Sequence, residues 1–438
     1  MLINPPLSPV RHTINKKEHQ INKDQLNKNV ISILEKLKKA GFEAYIVGGG
    51  VRDLLLGYKP KDFDIATDAK PEEIRALFKN SRIIGRRFKL LHIYFGREII
   101  EVATFRASPK HSDENNVKSK NFTSHNDEHF TLEGRIIRDN IYGTIDDDIW
   151  RRDFTINALY YDAIEETIID YCNGYHDLKN HCIKILGDPA IRYREDPVRM
   201  LRALRFAAKL DFTIEPKTLA PLTNHEYHNM LDSIPSARLF EEYNKLFLTG
   251  HSEKSFYLLK QYKLINKLFP YTANHKIEEK FPQHLSFLHQ VLQSTDHRIA
   301  NELPVNPAFL LAAFLWHQLH IEFAKTHSKQ HGKEYLWRQA AHHLIKNQNN
   351  FLSIPKRFTK VVEEIWYLQR LLMKKKPKAV FKAATHPKFR AGFDFITLRA
   401  QVEPINEQQL LWWQDYEASP ENIRKQLLED YEKKFGKS

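Results

Sequence analysis

The run Gly48-Gly49-Gly50-Val51-Arg52-Asp53, followed by Lys61-Asp62-Phe63-Asp64, constrains this chain more than any other stretch. Ala44-Tyr45-Ile46-Val47 reads as a short strand entering three glycines, and Val51 to Leu56 reads as the start of a helix that Gly57 ends. Glycines let backbone amides approach an anion closely, and amides at a helix start carry partial positive charge. A triphosphate fits there, with Arg52 above it. Asp62 and Asp64 are two residues apart, so on a strand they project from one face while Phe63 and Ile65 point to the other. Two such carboxylates suit Mg²⁺, which takes oxygen ligands from one or two carboxylates and from substrate phosphates. A Gly-Gly pair alone is usually a turn, and Asp-x-Asp alone is usually a solvated edge or a cap. In the order strand, glycines, helix, strand, with 13 residues from Gly49 to Asp62, they point together to nucleotidyl transfer.

At 438 residues the chain exceeds one small core, and two to four domains are expected. Lys plus Arg exceed Asp plus Glu by 67 − 54 = 13, which fits an anionic macromolecular partner. Cys172 and Cys182 are the sole cysteines, too few for a disulfide framework or a structural zinc site, and consistent with a reducing cytosol. No early apolar leader or membrane-length apolar run is seen, so a soluble cytoplasmic protein is expected. His317-Gln318-Leu319-His320 and His342-His343 lack a surrounding metal pattern and read as helix-surface histidines.

Residues 1–27 are polar, with Pro5, Pro6 and Pro9, and read as a flexible arm. Val30, Ile31, Leu34 and Leu37 repeat at helical spacing, and Pro71 to Phe78 reads as a second helix. Ile84 to Phe95 combines a basic turn with an apolar strand, and Ile99 to Thr104 is another strand. Within it, Glu101 sits among apolar residues, so it should meet a cation, a metal or a buried donor, if it is not a structural ion pair. Residues 107–134 lose periodicity and read as a mobile insertion beside the site. Arg151-Arg152-Asp153 then precede an expected helix that Asp153 could cap. With a triphosphate nearby, Arg152 becomes a phosphate or sugar contact.

In Glu195-Asp196-Pro197-Val198-Arg199-Met200-Leu201-Arg202, Asp196 and Pro197 open a helix on which Arg199 and Arg202 lie three apart, with Val198, Leu201 and Leu204 facing inward. The motif alone also fits an N-cap and an exposed basic helix. From about residue 210 onward the spacing is helical. Residues 356–390 carry 11 Lys or Arg against Glu363 and Glu364, with Trp366, Tyr367, Phe381 and Phe389 interleaved. This pattern suits single-stranded nucleic acid, or equally a solvated basic helix pair over core aromatics.

Taken in order, Gly48-Gly49 with Arg52, Asp62-Phe63-Asp64, Arg151-Arg152-Asp153 and Glu195-Asp196-Pro197-Val198-Arg199 resemble the bacterial class II tRNA-nucleotidyltransferase and poly(A) polymerase family, over roughly residues 40–400. The resemblance implies an α/β polymerase-β-like nucleotidyltransferase head (28–163), followed by an all-α neck that recognises the nucleotide base (164–250), a helical body (251–350) and an RNA-binding leg (351–438). It implies template-independent transfer of AMP from ATP to RNA 3′ ends. Carried over by position, Asp62 and Asp64 would hold two Mg²⁺, with Asp153 a further catalytic acid. Gly48, Gly49, Arg52, Arg152, Arg199 and Arg202 would contact the nucleotide, and Asp196 with Arg199 would face the base edge. The implied partners are RNA 3′ ends and ATP, for a monomer that associates with RNA-decay factors and not with a membrane.

Glu101 on a neighbouring strand rivals Asp153 as the acid completing the metal shell. Cytosine presents the same donor and acceptor order as adenine to an Asp and Arg pair, so a CCA-adding enzyme is the nearest alternative. Gly85-Arg86-Arg87-Phe88-Lys89-Leu90 with His92, Ile354-Pro355-Lys356-Arg357 and His386-Pro387-Lys388-Phe389-Arg390 look like the polymerase branch. A non-catalytic RNA-binding protein is the alternative of another class, and the paired Asp62 and Asp64 weigh against it. The sequence stops at Ser438 without the extended Arg-rich tail of some relatives, which bears on how RNA and accessory partners are held.

Overall fold

Ala44–Val47 is buried along its whole length, as a strand covered on both faces must be, and a mixed sheet is built outward from it. The computed structural model describes residues 10–85, 89–107, 142–272, 275–326 and 330–435. Met1–Tyr227 and His228–Ser438 form separate compact units. In the first, β1 (His12–Asn15), β2 (Ala44–Val47), β3 (Asp64–Thr67), β4 (Ser81–Ile84), β5 (Leu90–Phe95), β6 (Glu98–Thr104), β7 (Tyr160–Asp162) and β8 (Thr167–Asp170) form one sheet. Their order is β1-β8-β7-β2-β3-β6-β5-β4. Within this sheet, among the described residues, the β3–β6 pair runs parallel and the other pairs antiparallel.

Register decides what meets at the end of the sheet. Val47 pairs with both Asp64 and Tyr160, and Asp64 pairs with Glu101. The chain leaving β2 at Gly48 therefore starts level with Asp64, Glu101 and Tyr160. Helix Lys28–Lys39, capped by the Asn27 side chain, buries Val30, Leu34 and Leu37 as the spacing predicts, but it buries Ile33 in place of Ile31, which is half-buried. Pro71–Leu77 is the second expected helix.

Several expectations need correction. Residues 12–26 are not a flexible arm: β1 pairs with β8, and Ile14, His19, Ile21 and Leu26 are buried. Lys and Asn abundance hid the few apolar residues that anchor this segment. Ending the head at residue 163 divides a hairpin, because β8 pairs with β7. After Asp153 there is no α-helix but one 3₁₀ turn, Thr155–Asn157, before β7. The neck is not wholly helical, since Thr213–Ile214 pairs in parallel with Cys182–Ile183. Residues 1–9, 86–88 and 108–141, which include most of the expected insertion and Arg86-Arg87-Phe88, lie outside the described residues.

The second unit is helical throughout its described residues. Trp413, Phe389, Phe393, Leu368 and Leu372 are central to one of its cores. Gly392 permits close helix contact there, as a Cβ would fall 2.7 Å from Leu368 Cβ. His317 is not on the surface: its Nδ1 lies 2.9 Å from His284 Nδ1, and His284 Nε2 meets the Thr272 carbonyl at 2.8 Å. Burial, reinforced by His317, pushes His284 down to about 4.

Candidate active site

Gly48 takes φ +69° at the start of the seven-residue helix Gly49–Leu55, a conformation open to glycine at little cost. A Cβ on Gly48 would lie 3.5 Å from Arg152 Nη1. One on Gly50 would lie 3.4 Å from Phe63 Cδ1 and 3.5 Å from the Asp62 carbonyl oxygen. The glycine turn is thus packed directly on the segment carrying the aspartates.

Asp64 is the first residue of β3, whereas Asp62 lies in the connection before it. Pairing with β2 stops at Val47 and Asp64 because Gly48 turns the partner away into its helix, so Asp62 is not on the strand as expected. Both aspartates are exposed, and Asp62 still acts electrostatically on Asp64. Although the residue keeps an exposed surface, desolvation by the protein atoms crowded around its carboxylate pushes Asp64 up to about 6; Glu101 and Asp62 add to the rise, and Arg152 opposes it. Glu101 lies across from Asp64 on β6 and is exposed, with His92 Nε2 at 3.2 Å from its Oε1. Among the described residues no three acidic, His or Cys groups close a complete metal cage. Two hard carboxylates left without neutralisation do match Mg²⁺, which keeps several positions for water and substrate phosphate.

The arginines are held by other carboxylates. Arg152 donates from Nε to the Tyr160 hydroxyl at 2.6 Å and from Nη2 to Asp148 Oδ2 at 2.9 Å, while Tyr160 itself donates to Asp148 at 2.6 Å. Burial alone would raise Asp148, but Arg152, Arg151 and the Tyr160 hydroxyl outweigh it and hold Asp148 at about 2. These contacts fix Arg152 with Nη1 toward Gly48. Arg52, only 3% exposed, donates to Asp53 and, through Nη1, to Asn157 Oδ1 at 2.7 Å. It braces the turn from within, with Nη2 3.4 Å from where a Cβ on Gly49 would lie.

Asp153 is likewise an internal brace. It accepts from Arg202 Nε at 2.7 Å and Asn157 Nδ2 at 3.1 Å, and from the Phe154 amide at 2.8 Å. Against the cost of burial, Arg202 and these hydrogen bonds hold it well below the usual carboxylate range. The chain Arg202, Asp153, Asn157, Arg52, Asp53 ties helix Val198–Leu210 to the glycine helix, and Lys209 adds a second tie to Asp53 at 3.4 Å. Arg199 is buried, donating to Glu195 at 3.0 Å and to the Arg192 carbonyl at 2.7 Å. Asp196 Oδ1 accepts from the Val198 amide at 3.3 Å, as a helix start requires.

The structure therefore brings Gly48, Gly49, Asp62, Asp64 and Arg152 to one place. It puts Glu101, rather than Asp153, opposite Asp64. Sequence reasoning missed Asp148, Tyr160 and Asn157 as supports. Asp148 carried a signal, since it stands three and four residues before Arg151 and Arg152.

Comparison with known proteins gives three sequence matches to family models. "Poly A polymerase head domain" covers residues 44–184, "Probable RNA and SrmB- binding site of polymerase A" covers 211–276, and "Polymerase A arginine-rich C-terminus" covers 333–437. Poly(A) polymerase I of Salmonella typhi is 44% identical over 421 residues, 95% of this chain and 88% of that protein. A CCA-adding enzyme of Lactobacillus helveticus is 36% identical over 251 residues, 57% of each chain. A solved tRNA-processing enzyme in apo form matches with TM-score 0.61 and 22% identity, covering 92% of this chain and 99% of that one, and so shares the fold.

Proposed function

The chain belongs to the poly(A) polymerase family, and from that premise we propose how its residues carry out template-independent transfer of AMP from ATP to RNA 3′ ends. The observation that carries the site assignment is Asp64 beside the glycine turn, in register with Glu101 and raised electrostatically by both Glu101 and Asp62. Asp62 and Asp64 hold Mg²⁺, and Glu101 completes the acidic set. Two Mg²⁺ ions, when bound, supply charge neutralisation at the triphosphate and lower the pKa of the attacking 3′ hydroxyl. Gly48 and Gly49 leave room for the phosphates against the backbone, and Arg152 Nη1 contributes fixed positive charge there. Because Asp148 and Tyr160 already orient that guanidinium, little ordering cost falls on nucleotide binding. Asp153 and Arg52 keep helix Val198–Leu210 in place, so that Asp196, Arg199 and Arg202 act through its position. The protein supplies no covalent nucleophile: the RNA hydroxyl oxygen bonds to the α-phosphorus as the bond to pyrophosphate breaks.

The further division into neck, body and leg, a monomeric state, association with RNA-decay factors and a cytoplasmic location belong to the same proposal. No helix among the described residues is long and apolar enough to cross a membrane. Incubating the protein with Mg²⁺ and each of ATP, CTP, GTP and UTP, on generic RNA and on end-trimmed tRNA, tests the reading. A-tails on generic RNA are expected. CTP incorporation confined to tRNA, with no tail on generic RNA, would replace it with CCA addition.

A further inference from the structure

Phe206 stands on helix Val198–Leu210 with its ring buried, 5% exposed. The Arg52 guanidinium, from the glycine helix, lies over that ring at 5.1 Å from its centroid. Those of Arg202 and Arg205, from the same helix as Phe206, lie over it at 5.4 and 4.4 Å. Phe154, next in sequence to Asp153, meets the ring edge-on at 5.6 Å. Three guanidiniums on one ring bring like charges together where burial weakens screening. Lys209 registers the crowding: burial first of all lowers it from its usual value, Arg52 and Arg205 add to the fall, and Asp53 opposes it. A leucine would fill such a space as well as far as burial goes. What the aromatic ring adds is a negative face that attracts cations.

Hydrogen bonds hold these arginines separately. Arg52 donates from Nε and Nη2 to Asp53 Oδ1 at 2.8 and 2.6 Å, and from Nη1 to Asn157. Arg202 donates from Nε and Nη2 to Asp153 Oδ2. The ring is common to all three, so it couples the glycine helix to helix Val198–Leu210 without a polar atom of its own. Its effect reaches the phosphate cradle through Arg52, whose Nη2 would lie 3.4 Å from a Cβ on Gly49. A guanidinium held there places fixed positive charge directly beneath the turn, and charge fixed in advance costs nothing to order when an anion arrives.

We propose that Phe206 is a positioning residue for nucleotide transfer: its attraction for Arg52, Arg202 and Arg205 keeps positive charge gathered beneath the glycine turn, where the triphosphate binds. The proposal rests on the reading of Gly48 and Gly49 as that cradle. Phe206 itself, being buried, acts only through the arginines.

Substituting Phe206 with mono-, di- and trifluorophenylalanine, inserted by stop-codon suppression in the full chain, tests it. Fluorine withdraws charge from the ring face in steps and nearly keeps its shape, so a ring that only packs is indifferent to it. Binding of inorganic tripolyphosphate with Mg²⁺, followed by titration calorimetry, should weaken at each step, reaching on the order of tenfold for the trifluoro ring. The KM for ATP should rise in parallel with kcat little changed. Phe206→Leu should weaken tripolyphosphate at least as much. The same series at Phe247, fully buried against Tyr243 and Phe314 in the second unit, should leave affinity at the wild-type value. A flat response across the Phe206 series, or an equal decline at Phe247, would overturn the proposal and leave the ring as packing. AMP transfer to generic RNA by the wild-type chain, measured alongside, tests the polyadenylation reading by itself. Its failure beside a graded tripolyphosphate response would unseat that reading and uphold the role of Phe206.

Discussion

Asp64 and Asp153 lie in the same unit, each near arginine, and their surroundings drive them in opposite directions. Asp64 has Asp62 and Glu101 around it and is held up near 6. Asp153 has Arg202, Asn157 and the Phe154 amide and is held far down. One group is an unneutralised acid that gains from a cation arriving; the other is already neutralised and spends its charge on fixing a guanidinium. The same division separates Glu101 from Asp148. Proximity to an active site thus does not make a carboxylate a metal ligand, and what decides is whether the protein has already satisfied it.

The largest test of this contrast is removal of the repelling acids. Asp62→Ala with Asp64→Ala should lower AMP transfer, followed by incorporation of labelled ATP, by about a thousandfold or more. Stability should move the other way. A carboxyl whose folded pKa is raised contributes stability below its unfolded value near 4 and loses it as pH rises through about 6. Metal-free Asp64→Asn should therefore melt higher than wild type above pH 6 and equally below pH 4. Next in size is Asp153→Asn, which removes the carboxylate charge that Arg202 Nε meets and should cost about 2 kcal/mol in urea unfolding. Loss of transfer as severe as that of the Asp62 and Asp64 variant, with unfolding unchanged, would erase the distinction and return Asp153 to the metal.

Much of the glycine turn and its aspartates was legible because the signal was local: an apolar strand, three glycines, and two acids at fixed spacing. Helix Val198–Leu210 was legible for the same reason, from Asp196-Pro197 and its apolar spacing. What could not be read was register. Nothing local in Glu101 says that β6 runs parallel to β3 and sets it opposite Asp64. Nor does Arg52 announce that Asn157, 105 residues away, takes up its Nη1. Short polar segments were hidden for another reason: the arm around His12–Asn15 owes its place to pairing with β8, which propensity does not reveal.

Glu101→Gln asks whether the acid opposite Asp64 belongs with the unneutralised set. It should raise the Mg²⁺ concentration for half-maximal transfer roughly tenfold, a loss typical of a changed metal environment. It should also move the acid limb of Mg²⁺-induced thermal stabilisation to lower pH, because a negative neighbour that holds Asp64 up has gone. An unchanged Mg²⁺ requirement and pH limb would leave Glu101 as a surface partner of His92 alone.

The smallest effect is expected at Gly48, where the two kinds of charge are brought together by backbone alone. A side chain at φ +69° costs about 1 kcal/mol in unfolding free energy. Its Cβ would sit at ordinary contact distance, 3.5 Å, from Arg152 Nη1, so the fold should tolerate Gly48→Ala. The methyl would nevertheless occupy space that a phosphate needs beside that guanidinium. The expected result is a several-fold rise in KM for ATP with kcat little changed, since Asp62, Asp64 and Glu101 keep their places. A fall in kcat with KM constant would instead mean that the turn positions the acids, and that the cradle and the acidic set act as one unit.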